Sequence, residues 1–227
     1  METPLSRDQL LRREGRVIRQ GTYFKPEIRV VDVDSGPVVV KDSAAMHPFL
    51  KRLMGRRNQR REVKVYQRLD GVAGVPRLLG VIDAEAFLIE LIEGETLRRA
   101  MAPERLEKAL DDLKKVIDAI HARRVVHLDL KQKRNVVVKP DHTVAVLDFQ
   151  SAICFGSGWL SRVLFSALKR RDGAGLIKFR GRYLPDSLTP AERKRYDREQ
   201  RLAKLWPFTH LTRALRKLFR SETNDKD

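Results

Sequence analysis

Three oxygen-bearing side chains, Asp129, Asn135 and Asp148, stand where a short hairpin would gather them. Val136–Lys139 and Val144–Leu147 are apolar, β-branched runs, and Pro140–Thr143 supplies the turn between them. In an antiparallel pair the start of the first strand lies beside the end of the second. Asn135 immediately precedes the first strand and Asp148 immediately follows the second, so the two converge at one end. Asp129, on the loop leading in, belongs to that end as well. Two carboxylates and an amide are costly in an apolar core. They suit a hard cation bound through oxygen, such as Mg²⁺ carrying a polyphosphate.

The elements needed to position this end can be read along the chain. Arg16–Gln20, Ile28–Val33 and Pro37–Lys41 predict strands, separated by Gly21–Glu27 and by Asp34-Ser35-Gly36, with the second and third an antiparallel pair. His47 to Leu69 predicts mainly helix with a break at Gly55. Val75–Asp83 and Ala86–Leu91 add two strands, which gives a five-stranded sheet with a helix inserted after the third. Glu93-Gly94-Glu95 is a polar joint. Pro103 opens a helix whose Leu106, Leu110, Leu113, Ile117 and Ile120 fall on one face. Asp148 to Asp227 is mostly helical, polar and basic.

The run His127-Leu128-Asp129-Leu130-Lys131-Gln132-Lys133-Arg134-Asn135, followed by Asp148-Phe149-Gln150, resembles the catalytic loop and metal-binding motif of the protein-kinase-like superfamily. Upstream, Lys41 ends Val38-Val39-Val40-Lys41, Glu62 lies on the following helix, and Glu90-Leu91-Ile92-Glu93-Gly94 resembles the hinge between kinase lobes. The likeness spans Arg16 to Ala152 and is nearest the small bacterial branch of RIO-type and lipopolysaccharide-core sugar kinases. It implies an α+β, two-lobed fold: a five-stranded antiparallel small lobe over residues 1–92, a shortened, mostly helical large lobe over 93–200, and a basic amphipathic tail over 201–227. It also implies roles. Lys41 binds the ATP phosphates and pairs with Glu62. Gly21 belongs to the phosphate-covering loop, and main-chain groups of Glu90 to Ile92 meet the adenine. Asp129 accepts the proton of an acceptor hydroxyl, Lys131 offsets charge on the moving phosphoryl group, and Asn135 and Asp148 hold Mg²⁺. His127 braces the catalytic loop.

The sequence departs from the family pattern in several places. Gln20-Gly21-Thr22-Tyr23-Phe24-Lys25-Pro26 has one glycine instead of a Gly-x-Gly-x-x-Gly series, with Lys25 as a further phosphate contact. Asn135 lies six residues after Asp129, one more than usual, and Gln150 replaces the glycine after Asp-Phe. No Ala-Pro-Glu segment follows. A peptide-substrate platform is therefore not expected, and a glycan or lipid-linked sugar is the favoured hydroxyl acceptor. A RIO-like protein serine/threonine kinase and a pseudokinase-like binding scaffold are the alternatives.

Composition narrows the setting. Lys+Arg 47 against Asp+Glu 30 gives a net charge of +17, which favours an anionic partner. Residues 151–227 hold 18 Lys+Arg and 8 Asp+Glu, so +10 of that excess lies in the last third. Two segments pair apolar with cationic stripes: Phe49 to Arg57, and a tail in which Leu202, Leu205, Trp206, Phe208, Leu211, Leu215, Leu218 and Phe219 alternate with basic residues. Each reads either as a packed helix with a solvated face or as an attachment to an anionic membrane. Aromatic residues at 7% offer few stacking platforms, so nucleic acid is not expected. The lone Cys154 excludes an internal disulfide and predicts an inert buried thiol. No apolar run reaches a bilayer span, and no signal peptide is expected. The expected location is the cytoplasm, including the inner membrane face.

Overall fold

The computed structural model describes residues 7–22, 25–44, 46–47 and 55–205. The protein is α+β. A helix α1 (Arg7–Arg12) precedes strands β1 (Gly15–Arg19), β2 (Glu27–Val33) and β3 (Gly36–Asp42). Helix α2 (Arg56–Arg68) follows, then β4 (Leu78–Val81) and β5 (Ala86–Glu90). The five strands form one antiparallel sheet in the order β1-β2-β3-β5-β4.

Strand alternation explains how this sheet divides its side chains. Val38 and Val40 of β3 pack with Val31, Leu88 and, from α1, Leu10. Val39 points the other way, into the main core with Phe87, Ile89, Val65 and Tyr66. Successive side chains change face, so Lys41 shares the face of Val39 and is driven inward. In α2 the buried residues are Gln59, Glu62, Val65 and Tyr66, one stripe at helical spacing, while Arg57, Arg60 and Lys64 are exposed. The sheet therefore brings a buried lysine under a helix stripe that carries a buried glutamate. On the opposite face, Arg7 fastens α1 through Asp83 at 2.7 Å and Asp42 at 3.1 Å.

The expected strand at Val75–Asp83 is shorter than its apolar pattern suggests. The Val75 N–H bonds Val72, Pro76 has no N–H for a ladder, and Gly71 and Gly74 turn the chain at positive φ. The polar joint at Glu93-Gly94-Glu95 leads directly into a strand. This β6 (Glu95–Thr96) is followed by α3 (Pro103–Ala122), β7 (Val125–Val126), β8 (Val136–Val138) and β9 (Val144–Val146). β6, β8 and β9 form a small antiparallel sheet, and β10 (Ile153–Cys154) pairs with β7. The five α3 residues expected to face inward are all buried. Helices α4 (Trp159–Tyr183) and α5 (Pro190–Leu205) complete the described chain.

Gly94 is at φ 151°, and a Cβ there would collide with the Val138 carbonyl. Gly94→Ala should therefore cost about 1–3 kcal/mol, read as a lower urea midpoint with an unchanged slope. Cys154 is half-buried, not buried. Burial still raises its thiol pKa, which keeps it protonated and unreactive. Most of the Phe49–Arg57 stripe and the tail from Trp206 lie outside the described residues. Among the described residues no helix is long and apolar enough to cross a membrane.

Candidate functional site

The inward Lys41 finds two carboxylates. Its Nζ lies 2.5 Å from Glu62 Oε1 and 3.2 Å from Asp148 Oδ1. Burial would strip the proton from this ammonium, but Glu62, Tyr66 and Asp148 outweigh it and raise the pKa, so Lys41 stays charged. At Asp148 burial acts to raise the pKa, yet Lys41 and Arg19 prevail and hold the carboxyl below its ordinary value. Lys41, Glu62 and Asp148 thus form one contact set drawn from β3, α2 and the end of β9.

The hairpin ties Asn135 to its second strand and to Asp129. The Leu147 N–H donates to the Asn135 carbonyl at 2.8 Å, which fixes Asn135 beside the residue that precedes Asp148. Asn135 Nδ2 donates to the Asp129 carbonyl at 3.0 Å and to Asp129 Oδ2 at 3.2 Å. Gln132 Nε2 bonds the same carboxylate oxygen at 2.5 Å. Asp148 itself is at φ 63°, and the following Phe149 is buried between Tyr66, 5.3 Å away, and His127, 4.8 Å away. Arg61 bonds the Gln150 carbonyl at 2.5 Å, so the helix that supplies Glu62 also grips the loop that supplies Asp148.

No family model matches this sequence, and no curated protein matches it. The geometry alone must carry the chemistry. A buried ammonium beside an ionised carboxylate, with Asn135 and Asp129 bonded to each other at the start of the same hairpin, can bind a polyanion together with a hard cation. The donor set fits Mg²⁺: Asp148 is held ionised, and Asn135 commits its amide nitrogen to Asp129, leaving its amide oxygen as a donor for a cation. Among the described residues no group of three or more His, Cys, Asp or Glu is placed to hold a metal. Mg²⁺ is typically held by one or two protein oxygens, with phosphates and water completing its shell.

Four expected site residues stand apart from this cluster. Lys131 Nζ is bound to Glu199 Oε2 of α5 at 2.6 Å instead of lying free beside Asp129. Glu90 uses its N–H on the Arg77 carbonyl and its carboxylate on the Arg77 N–H. Ile92 lines a cleft with Pro37, Leu91, Glu93 and Pro140 at the end of β5. Gly21 precedes a Thr22–Lys25 bridge that closes the strand-one loop, and Tyr23 and Phe24 lie outside the described residues.

Two contributors are not evident from the motifs. Asp172, on α4 and 1% exposed, accepts from the His127 and Leu128 N–H groups at 2.9 and 2.8 Å and contacts His121 Nε2 at 2.9 Å. Its one sequence signal is a lone acid between Lys169-Arg170-Arg171 and Gly173-Ala174-Gly175. Arg19, at the end of β1, bonds the Pro26 carbonyl, and its charge reaches both Glu62 and Asp148. It is a cation beside the site on the strand that leads into the loop with one glycine.

His127 braces the loop, as its sequence position predicts. It is fully buried; its Nε2–H donates to the Leu147 carbonyl at 3.0 Å, and its Nδ1 accepts from the Asp129 N–H at 3.3 Å. Burial lowers its pKa despite the Leu147 carbonyl and the Asp172, Asp148 and Asp129 carboxylates, so the imidazole is neutral. The unfolded chain takes up this proton below about pH 6.5, while the folded chain resists until lower pH. Stability should then fall with decreasing pH between those two pKa values, at up to about 1.4 kcal/mol per unit. His127→Gln should be less stable at pH 7.5 but lose this component of the slope, as checked by urea titrations from pH 7.5 to 5.

Proposed function

We propose that the protein is an ATP- and Mg²⁺-dependent phosphotransferase of the protein-kinase-like superfamily, acting on a hydroxyl of an envelope glycan or lipid-linked sugar. The observation that carries this reading is the buried Lys41 ammonium, bonded at once to Glu62 and to Asp148, 107 residues away. A lysine with two carboxylates inside a core contributes little stability compared with apolar packing. It is well suited to nucleotide phosphates, with the Glu62 pair keeping the ammonium aimed at them. In this reading the sheet with α2 is the small lobe, and the helices from α3 onward belong to the large one.

Each residue then has a defined task. Lys41, with Arg19 near it, draws the phosphates in, and Glu62 keeps Lys41 from collapsing onto Asp148 alone. Asp129, positioned by Asn135 and Gln132, orients the acceptor hydroxyl and takes its proton as the oxygen attacks the γ-phosphorus, whose bond to the β–γ bridging oxygen breaks to release ADP. Asp148 and the Asn135 amide oxygen would hold Mg²⁺, which, when bound, neutralises charge on the phosphate oxygens. His127 and Asp172 fix the loop without touching substrate. Positioning and charge stabilisation account for most of such a reaction.

One observation favours a second reading, a nucleotide-binding scaffold without turnover: Lys131 is engaged by Glu199 and not directed at Asp129. The deciding experiment is incubation with labelled ATP and Mg²⁺ against isolated saccharides, lipid-linked sugars and generic proteins, wild type beside Asp129→Ala. Label on a saccharide that disappears with Asp129→Ala is the expected result. Label on protein alone replaces the glycan acceptor with a protein one, and nucleotide binding without transfer to any acceptor supports the scaffold.

A further inference from the structure

Helix α4 has two halves of opposite character. Its second half is built into the fold through Asp172, Ala174, Gly175 and Phe179, all buried. In its first half only one seam turns inward: Phe165 packs edge-on against Phe155 at 5.6 Å and near His121 at 6.0 Å. The opposite side leaves Trp159 74%, Leu160 54%, Val163 57% and Leu164 47% exposed. At 100° per residue these four fall on one outward surface of two turns, with Ala167 continuing it. An exposed tryptophan inside a contiguous aliphatic patch marks an interaction surface.

Charge identifies the partner. From Phe149 to Arg171 the chain carries Arg162, Lys169, Arg170 and Arg171 and no acidic residue. Arg170 and Arg171 continue the outward face, and Arg162 and Lys169 flank it. A second copy of this patch, or the basic tail after Leu205, would bring like charges together. An anionic lipid surface takes the apolar stripe into its acyl boundary and the cations against its headgroups. The four cations and the buried C-terminal half exclude a spanning arrangement, in line with the absence of a spanning helix among the described residues.

We propose that the first half of α4 lies flat on an anionic membrane, with Trp159, Leu160, Val163 and Leu164 inserted and Arg162 and Lys169 to Arg171 at headgroup level. Trp159 and Asp172 are on one continuous helix, about 20 Å apart at 1.5 Å per residue. The membrane contact and the support of the Asp129 loop are thus parts of a single rigid element. Vesicle binding needs no nucleotide, so it stands or falls separately from phosphoryl transfer.

The sequence has two tryptophans, so Trp206→Phe leaves Trp159 as the sole reporter in the full-length chain. Its emission should shift to the blue with phosphatidylcholine–phosphatidylglycerol vesicles and stay unchanged with phosphatidylcholine alone. Val163→Glu with Leu164→Glu, both at exposed positions, should weaken co-sedimentation with the anionic vesicles about tenfold or more, with an unaltered melting curve. An unshifted Trp159 in the presence of bound anionic vesicles would overturn the proposal. A self-associated species that dissociates in the double variant, without vesicle binding by the parent, would overturn it too and assign the patch to a second copy.

Discussion

Asp148→Asn should abolish Mg²⁺-dependent phosphoryl transfer, by about 10³-fold or more, while the protein stays folded. The two effects separate because of what surrounds this carboxylate. Its Oδ1 accepts from Lys41 at 3.2 Å, a bond that an asparagine oxygen can also make. Lys41 keeps its shorter contact with Glu62, so the buried ammonium is never left without a counter-charge. Unfolding free energy should change by no more than about 1–2 kcal/mol. What is lost is the one negative charge in the hairpin cluster that Lys41 holds ionised. An amide is a far poorer Mg²⁺ ligand than a carboxylate, and among the described residues no third acidic group is grouped there to replace it. Isothermal titration with Mg²⁺·ATP and a single-turnover assay check both halves. Turnover at a tenth of wild type or above would remove Asp148 from the metal assignment.

The parts of this site that were legible in the sequence are those fixed by local periodicity. Strand alternation alone turns Lys41 to the side of Val39, and helical spacing alone puts Glu62 in line with Val65 and Tyr66. The hairpin brings Asn135 next to Leu147 because two short β-branched runs flank a turn. Local signals fail where a partner comes from far along the chain. Glu199 claims Lys131 from 68 residues away, and nothing near Lys131 announces it. Asp172 reaches the Asp129 loop from 44 and 45 residues away, across a helix whose basic surroundings make it look like an ordinary solvated acid. At Val75 the apolar pattern predicts more strand than forms, because Pro76 has no N–H to give a ladder.

Asp172 is where the second large effect is expected. The Leu128 backbone lies at φ 68°, a conformation strained for a bulky residue by about 1–3 kcal/mol. The Asp172 carboxylate holds it there, one oxygen accepting from Leu128 N–H and the other from His127 N–H and His121 Nε2. Asp172→Asn keeps one acceptor but sets an NH₂ group against either the Leu128 N–H or the His127 N–H and His121 pair, donor against donor in a dry site. The expected cost is about 2–4 kcal/mol of stability, read from urea unfolding. In the proposed reaction, releasing Leu128 would also free the adjoining Asp129 to drift from the acceptor hydroxyl. Misplacement on the scale of an ångström lowers turnover by about 10²-fold. Because Lys41, Glu62 and Asp148 are anchored by other elements, nucleotide affinity should hold while kcat falls, and that split distinguishes loop positioning from general unfolding. A folded Asp172→Asn protein with wild-type kcat would show that the Asp129 loop keeps its shape without this carboxylate.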